Sequence, residues 1–174
     1  MRRIYESEAL SRDDDNPFVP GENGDKDRYR SINWENASHA FVPRSLRSFA
    51  ISVSIETNHE RYAVGEPVAF RVTFRNRLPI PISLTTWSPV RWTWALDGVE
   101  EASYVEESVP DETSTFQFSR AERKQFTRQW SQQFRMSPTE WSSAEPGEHT
   151  VSVGINATRD AERLADSATF VIEE

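Results

Sequence analysis

The sequence predicts an all-β fold: an immunoglobulin-like antiparallel β-sandwich of seven or eight strands, preceded by an extended N-terminal arm. Three observations carry this. From Ser48 onward apolar residues recur with period 2. Turn signals return roughly every 8–12 residues, and no strand–helix–strand rhythm interrupts them. The chain has 174 residues, enough to bury a self-sufficient core.

Each element follows from its pattern. Phe49, Ile51, Val53 and Ile55 alternate with Ala50, Ser52 and Ser54, the signature of a half-buried strand beginning near Ser48. Val64-Gly65-Glu66-Pro67 is a turn signal. Val68, Phe70, Val72 and Phe74 then face one way and Ala69, Arg71, Thr73 and Arg75 the other, and Asn76-Arg77 closes the strand. Ile80, Ile82 and Leu84 alternate again, with Pro79 and Pro81 marking an irregular or edge strand, because proline cannot donate to a ladder. Trp92, Trp94 and Leu96 lead into Asp97-Gly98, a two-residue hairpin signal. The return from Val99 is acidic, and Phe116 and Phe118 mark a short strand. Phe126, Arg128 and Trp130 read as a further strand, although Phe126, Trp130 and Phe134 also share a helical face. Pro146-Gly147 is a turn into His149, Val151, Val153 and Ile155. A short helical link covers Arg159 to Ala165, and Ala168, Phe170 and Ile172 form the last strand.

Residues 1–45 differ from the sandwich, residues 46–174. Sixteen of the first 45 residues are charged and no period persists, so this stretch buries too little apolar area to offset its ordering entropy. It reads as an extended or disordered acidic arm with two hydrophobic islands, Phe18-Val19 and Ile32 to Val42.

Composition narrows the function. Acidic residues number 28 and basic residues 20, a formal net charge of −8. That balance opposes the positive field nucleic-acid binding needs. No apolar run exceeds three residues, and no leader pattern opens the chain, so a cytoplasmic protein without a membrane span is expected. The absence of cysteine excludes disulfides, zinc–thiolate sites and a thiol nucleophile. Eighteen of the basic residues are arginine and only Lys26 and Lys124 are lysine. Low lysine with excess acid suggests a halophilic protein, whose self-repulsion concentrated salt would screen; the alternative is a GC-rich genome that favours arginine codons.

No catalytic motif is present: no G-x-S-x-G, no phosphate loop and no H-E-x-x-H. His39, His59 and His149 lie in separate segments, without the spacing of a metal site. Glu100-Glu101 and Glu106-Glu107 read as a solvated acidic hairpin, and Arg71, Arg75 and Arg77 as outward residues that bridge to the protein's own carboxylates. The Asn36-Ala37-Ser38 and Asn156-Ala157-Thr158 sequons are taken as chance. No enzyme, cofactor or metal is therefore expected. The candidate partner-binding residues are Trp87 and Trp141, each in a proline-flanked loop where an exposed indole can anchor a partner, and Arg91, four residues after Trp87. Trp92 and Trp94 share one strand face and read as core.

Tyr62-Ala-Val-Gly65-Glu66-Pro67-Val68, the alternating Phe70 to Asn76, and Pro79-Ile-Pro81-Ile-Ser-Leu84 resemble the opening strands of the BsuPI-type intracellular proteinase inhibitors. Gln125-Phe126-Thr-Arg-Gln-Trp130 and Glu145-Pro146-Gly147-Glu148-His149 are similar to later elements of that family. The resemblance covers about residues 48–172 and implies an immunoglobulin-like domain that binds another protein. Ser88 to Trp94 departs from the family's usual polar stretch, the arm has no counterpart, and no inhibitory loop can be mapped. The whole sequence also resembles a haloarchaeal protein family, which supplies no activity. The expected function is a non-enzymatic protein-binding module, proteinase-inhibitor-like in one version. The alternatives are a structural or self-associating domain that uses its arm, and a glycan-binding sandwich using Trp87 and Trp141. The halophile reading has a direct test: stability should fall as salt drops from about 2 M to about 0.1 M, and equal unfolding midpoints at both would refute it.

Overall fold

The computed structural model describes residues 47–106 and 108–174. The expected arm and both of its hydrophobic islands lie outside the described residues. Twelve strands follow in chain order: β1 (Ile51–Thr57), β2 (Arg61–Ala63), β3 (Val68–Asn76), β4 (Ile82–Thr86), β5 (Trp92–Leu96), β6 (Val99–Glu100), β7 (Ser114–Phe118), β8 (Arg123–Trp130), β9 (Gln133–Arg135), β10 (Trp141–Ser143), β11 (Gly147–Ile155) and β12 (Ala165–Glu173). Eight of them have five residues or more. One helical turn, α1 (Arg47–Ala50), precedes β1, and a single 3-10 turn, Ala161–Leu164, links β11 to β12. Among the described residues no helix is long and apolar enough to cross a membrane.

Two sheets face each other in an immunoglobulin-like arrangement. One has the order β1-β3-β8 and the other β2-β12-β11-β5-β6. Pairing is antiparallel except between β2 and β12, which run parallel. Strand β1 therefore pairs in one sheet while β2, a few residues later, pairs in the other. Strands β4 and β7 form a separate antiparallel pair, which adds Ile82, Leu84, Phe116 and Phe118 to the same core.

The period-2 pattern explains the core. Val68, Phe70, Val72 and Phe74 of β3 are all buried, while Arg71 and Arg75 between them are exposed. Opposite lie Val151, Val153 and Ile155 of β11 and Phe170 and Ile172 of β12. Aromatic contacts join the sheets: Phe70 to Trp94 at 5.1 Å, Phe74 to Trp92 at 5.5 Å and Trp130 to Phe170 at 6.2 Å between ring centroids. The Asp97-Gly98 turn has φ of +49° and +83°, the two left-handed residues a tight β5–β6 hairpin requires.

The predicted start of the first strand needs correction. Residues 48–50 do not extend β1, and Phe49 is 55% exposed beneath the Arg163 guanidinium, 4.4 Å from its ring centroid. The reason is partner length: β3 ends at Asn76, which pairs with Ile51, so no strand remains opposite Phe49. Ile80 likewise stays outside β4. Its carbonyl accepts a hydrogen bond from Asn76 instead, and prolines flank it. The helical alternative for residues 121–133 gives way to strand β8. The outward arginines Arg71, Arg75 and Arg77 do not form the expected salt bridges among the described residues; the ion pairs there include Arg61–Glu173 and Lys124–Glu122.

Three buried carboxamides hold the connections. Asn76, fully buried, donates from Nδ2 to the carbonyls of Ile80 (2.7 Å) and Ser119 (2.9 Å), and its Oδ1 accepts from the Leu78 N–H (3.0 Å). Gln132, left-handed at φ +59°, donates to the Ala63 and Glu66 carbonyls and accepts from the Gly65 N–H. Asn156 donates to the Val90 carbonyl and accepts from Thr93 Oγ1. The asparagine of the second sequon is thus a structural residue. Asn76→Ala would strand one buried N–H and two carbonyls, so chemical denaturation should show a loss of about 3 kcal/mol. A loss below about 1 kcal/mol would mean that water replaces the amide there.

Candidate functional site

Strand β8 is the last strand of its sheet and pairs, among the described residues, with β3 alone. Its ladder phase follows from two bonds. The Asn76 N–H donates to the Glu122 carbonyl, and on the other side of β3 the Asn58 N–H donates to the Ala69 carbonyl. Antiparallel hydrogen bonding alternates residue by residue. The even-numbered residues of β8 therefore bond to β3, and the N–H and C=O groups of Arg123, Gln125, Thr127 and Gln129 point out of the free edge.

Side chains alternate too. Lys124, Phe126, Arg128 and Trp130 share the face of Val68, Phe70, Val72 and Phe74, their register partners on β3, and so point toward the opposite sheet. Trp130 closes one end as a buried residue, and its indole Nε1 donates to the Gln133 carbonyl. Phe126 is half-buried and Arg128 exposed. Across from them Trp92 and Trp94 of β5 are also half-buried, so the expectation of core tryptophans holds only in part. They pack on the core with one face and border a cavity of about 340 Å³ with another. We call this opening between β8 and β5 the seam.

The seam combines rings and cations. The Trp92 and Phe126 rings lie 5.1 Å apart. The Arg128 guanidinium stands 5.1 Å over Trp92, and Arg91 lies 6.0 Å from the centre of Phe116. Stacking on a ring face leaves guanidinium N–H groups at the edges able to donate. Lys124 lies 5.5 Å from the centre of Phe118 and is paired with Glu122 at 2.8 Å. Glu101, in a left-handed conformation at φ +49°, stands on the lip. It and Val90 also border a second hollow of about 540 Å³, which passes Tyr104 and Val109.

Of the three candidate residues, Arg91 alone lines the seam. Trp87 is exposed just beyond β4, where its N–H donates to the Asn156 carbonyl. Trp141 is exposed on β10 with the Arg135 guanidinium 6.0 Å from its ring. The two indoles share no ring contact with each other among the described residues. Sequence reasoning missed Arg128 and Phe126 as site residues, because a strand pattern gives the face of a side chain but not whether another strand covers it.

No reacting constellation gathers at the seam. Among the described residues no group of three or more His, Asp or Glu side chains is arranged to hold a metal. His149 has Nδ1 2.7 Å from Asp97 Oδ2 and Nε2 2.8 Å from the Glu145 carbonyl. Both ring nitrogens face acceptors, so neither is left to activate a nucleophile.

Residues 39–173 match the family of unknown function DUF7974. The chain belongs to that family. The DUF7974 match takes in the whole sandwich and the seam. Comparison with curated proteins finds no match. Among solved structures the chain is similar to the CARDB domain of the PF1109 protein from Pyrococcus furiosus in complex with di-metal ions. Identity there is 11% and the TM-score 0.44, over 71% of this chain and 87% of that one. A solution structure of the same CARDB domain gives 12% identity and a TM-score of 0.46, over 71% and 94%. A mutant β-glucosidase from Listeria innocua in complex with laminaribiose gives 18% and 0.41, over 71% of this chain and 16% of that one.

The lower end of the seam has a pH signature. The Lys124 ammonium, followed by the Ser119 N–H, holds the Glu122 carboxyl below the usual carboxylate range. A carboxyl lowered in the folded state stabilises above its unfolded value, and that contribution is lost as pH falls through the folded value. Glu122→Gln should be less stable than the parent at neutral pH, with the gap closing on acidification. A gap that stays constant through the carboxylate range in urea titrations would refute this.

Proposed function

We propose that this DUF7974 protein is a non-enzymatic protein-binding module that captures an extended segment of another protein along the free edge of β8. The single observation that supports this reading is the row of outward main-chain groups at Gln125, Thr127 and Gln129, which no other strand pairs among the described residues and of which the Thr127 carbonyl alone meets a side chain, Arg128, beside a cavity lined by Trp92, Trp94 and Phe126. Strand addition uses both parts: main-chain hydrogen bonds give affinity, and pockets for alternate side chains give specificity. Tryptophan and arginine are the residue types that most often dominate binding energy at such surfaces. A proteinase inhibitor, as the sequence resemblance implies, is one version of this reading. Stoichiometric inhibition of a subtilisin-like protease would identify it, and slow cleavage of the chain as an ordinary substrate would exclude it.

Thr127→Pro tests the edge without touching the core. Proline removes an outward N–H only, so the β3–β8 ladder stays intact, and edge strands tolerate it. Peptides selected from a random displayed library on the full chain should bind Thr127→Pro at least about tenfold more weakly, the effect of one lost main-chain bond and the altered edge. Selected peptides that bind parent and variant equally would place recognition elsewhere and end the strand-addition reading.

A further inference from the structure

The seam also carries information about the chemistry of its occupant. The chain has a formal net charge of −8, yet the inward row of β8 and the turn before β5 contribute Lys124, Arg128 and Arg91. Lys124 is neutralised by Glu122. Arg91 and Arg128 have no carboxylate partner among the described residues: their cations lie on Phe116 and Trp92, and the Arg128 Nη1 donates to the Thr127 carbonyl at 3.2 Å. An inward position on a sandwich strand ordinarily holds an apolar residue, as Phe70, the register partner of Arg128, does. The Arg128 guanidinium is exposed, lies over the Trp92 ring and gives one donor to the Thr127 carbonyl, so its remaining donors are open to an incoming acceptor.

Resting on the strand-addition reading, we propose that the seam selects an acidic extended segment of a partner protein, one that alternates carboxylates with apolar side chains on its inward face. Its carboxylates meet Arg91 and Arg128, and its apolar side chains enter the cavity that Trp92, Trp94 and Phe126 border. The same charges disfavour another copy of this chain. Edge-to-edge pairing of two β8 strands would oppose inward Lys124 and Arg128 with the same residues, and inward charges on an edge strand block such pairing. A single-stranded nucleic acid also offers anions and stacking rings. It lacks the main-chain groups that β8's free edge matches, and the surrounding net charge repels its backbone.

The test uses the full chain and two labelled synthetic peptides. In one, the inward positions read Glu-Leu-Glu and the outward positions are Thr; in the other, Lys replaces each Glu. Fluorescence anisotropy at low salt should show binding of the acidic peptide and at least about tenfold weaker binding of the basic one. Arg128→Gln and Arg91→Gln should each weaken the acidic peptide by about tenfold, and Arg128→Glu should shift preference toward the basic peptide. Both glutamine changes lie at exposed side chains, and circular dichroism confirms the fold of each variant. Equal binding of the two peptides, with both still lost in Thr127→Pro, would overturn the acidic preference while leaving strand addition standing. Acidic preference that survives Thr127→Pro unchanged would overturn strand addition instead. Tighter binding of an oligothymidine than of the acidic peptide, sensitive to Arg91→Gln and Arg128→Gln, would overturn the assignment to a protein partner. Binding of neither peptide would overturn it as well.

Discussion

Everything in this fold leans on one row of side chains, the inward face of β3. Val68, Phe70, Val72 and Phe74 are each at most 1% exposed. Strand β3 is paired on both sides, so its register sets that of β1 and β8. A slip of one residue would turn Arg71 and Arg75 into the core and expose two phenylalanines, which fixes the pairing firmly. The opposite sheet is then positioned by the aromatic contacts that reach across, from Phe70 to Trp94 and from Phe74 to Trp92. The seam follows from the same geometry. One sheet has three strands and the other five. Strand β8 is the last of the narrower sheet, and Trp92 and Trp94 are left half-covered.

The buried carboxamides do a different job. Apolar burial decides which faces meet but leaves loop backbone groups without partners. Asn76, Gln132 and Asn156 satisfy these from the side, each with both ends of its amide engaged. Each joins segments remote from one another in sequence. Asn76 ties the exit of β3 to the turn before β8, Gln132 ties the β8–β9 turn to the turn before β3, and Asn156 ties the exit of β11 to the entry of β5. A buried amide of this kind disfavours alternative loop conformations more than it adds to net stability, because leaving its partners unmet is costly.

Much of this architecture was legible in the residues. Strands β3, β5, β7, β11 and β12 follow directly from period-2 alternation, and Asp97-Gly98 marked its hairpin. What escaped depends on contacts between distant segments. Phe49 fits the alternation of β1 but lies past the end of its partner. Strands β2, β9 and β10 have only three residues each, too few to show a period. Alternation puts Trp92 and Trp94 on the face they occupy, yet only the position of β8 decides how far they are covered. The sequence pattern puts Arg128 on a strand and no more, because an arginine on an inward face signals something only once the cavity beside it is known.

The alternation along β8 separates two tasks within one stretch of chain. Even-numbered residues face the opposite sheet and the seam, and their backbone groups hold β8 to β3. Odd-numbered residues present their backbone to the edge and their side chains to solvent; the Gln125 amide donates to the Thr73 hydroxyl at 3.2 Å. Substitutions at Gln125, Thr127 and Gln129 can thus accumulate with little consequence for folding. Under the proposed strand addition, drift at these three surface positions leaves the core untouched, whereas Phe126 and Arg128, on the inward row, answer to packing and recognition together.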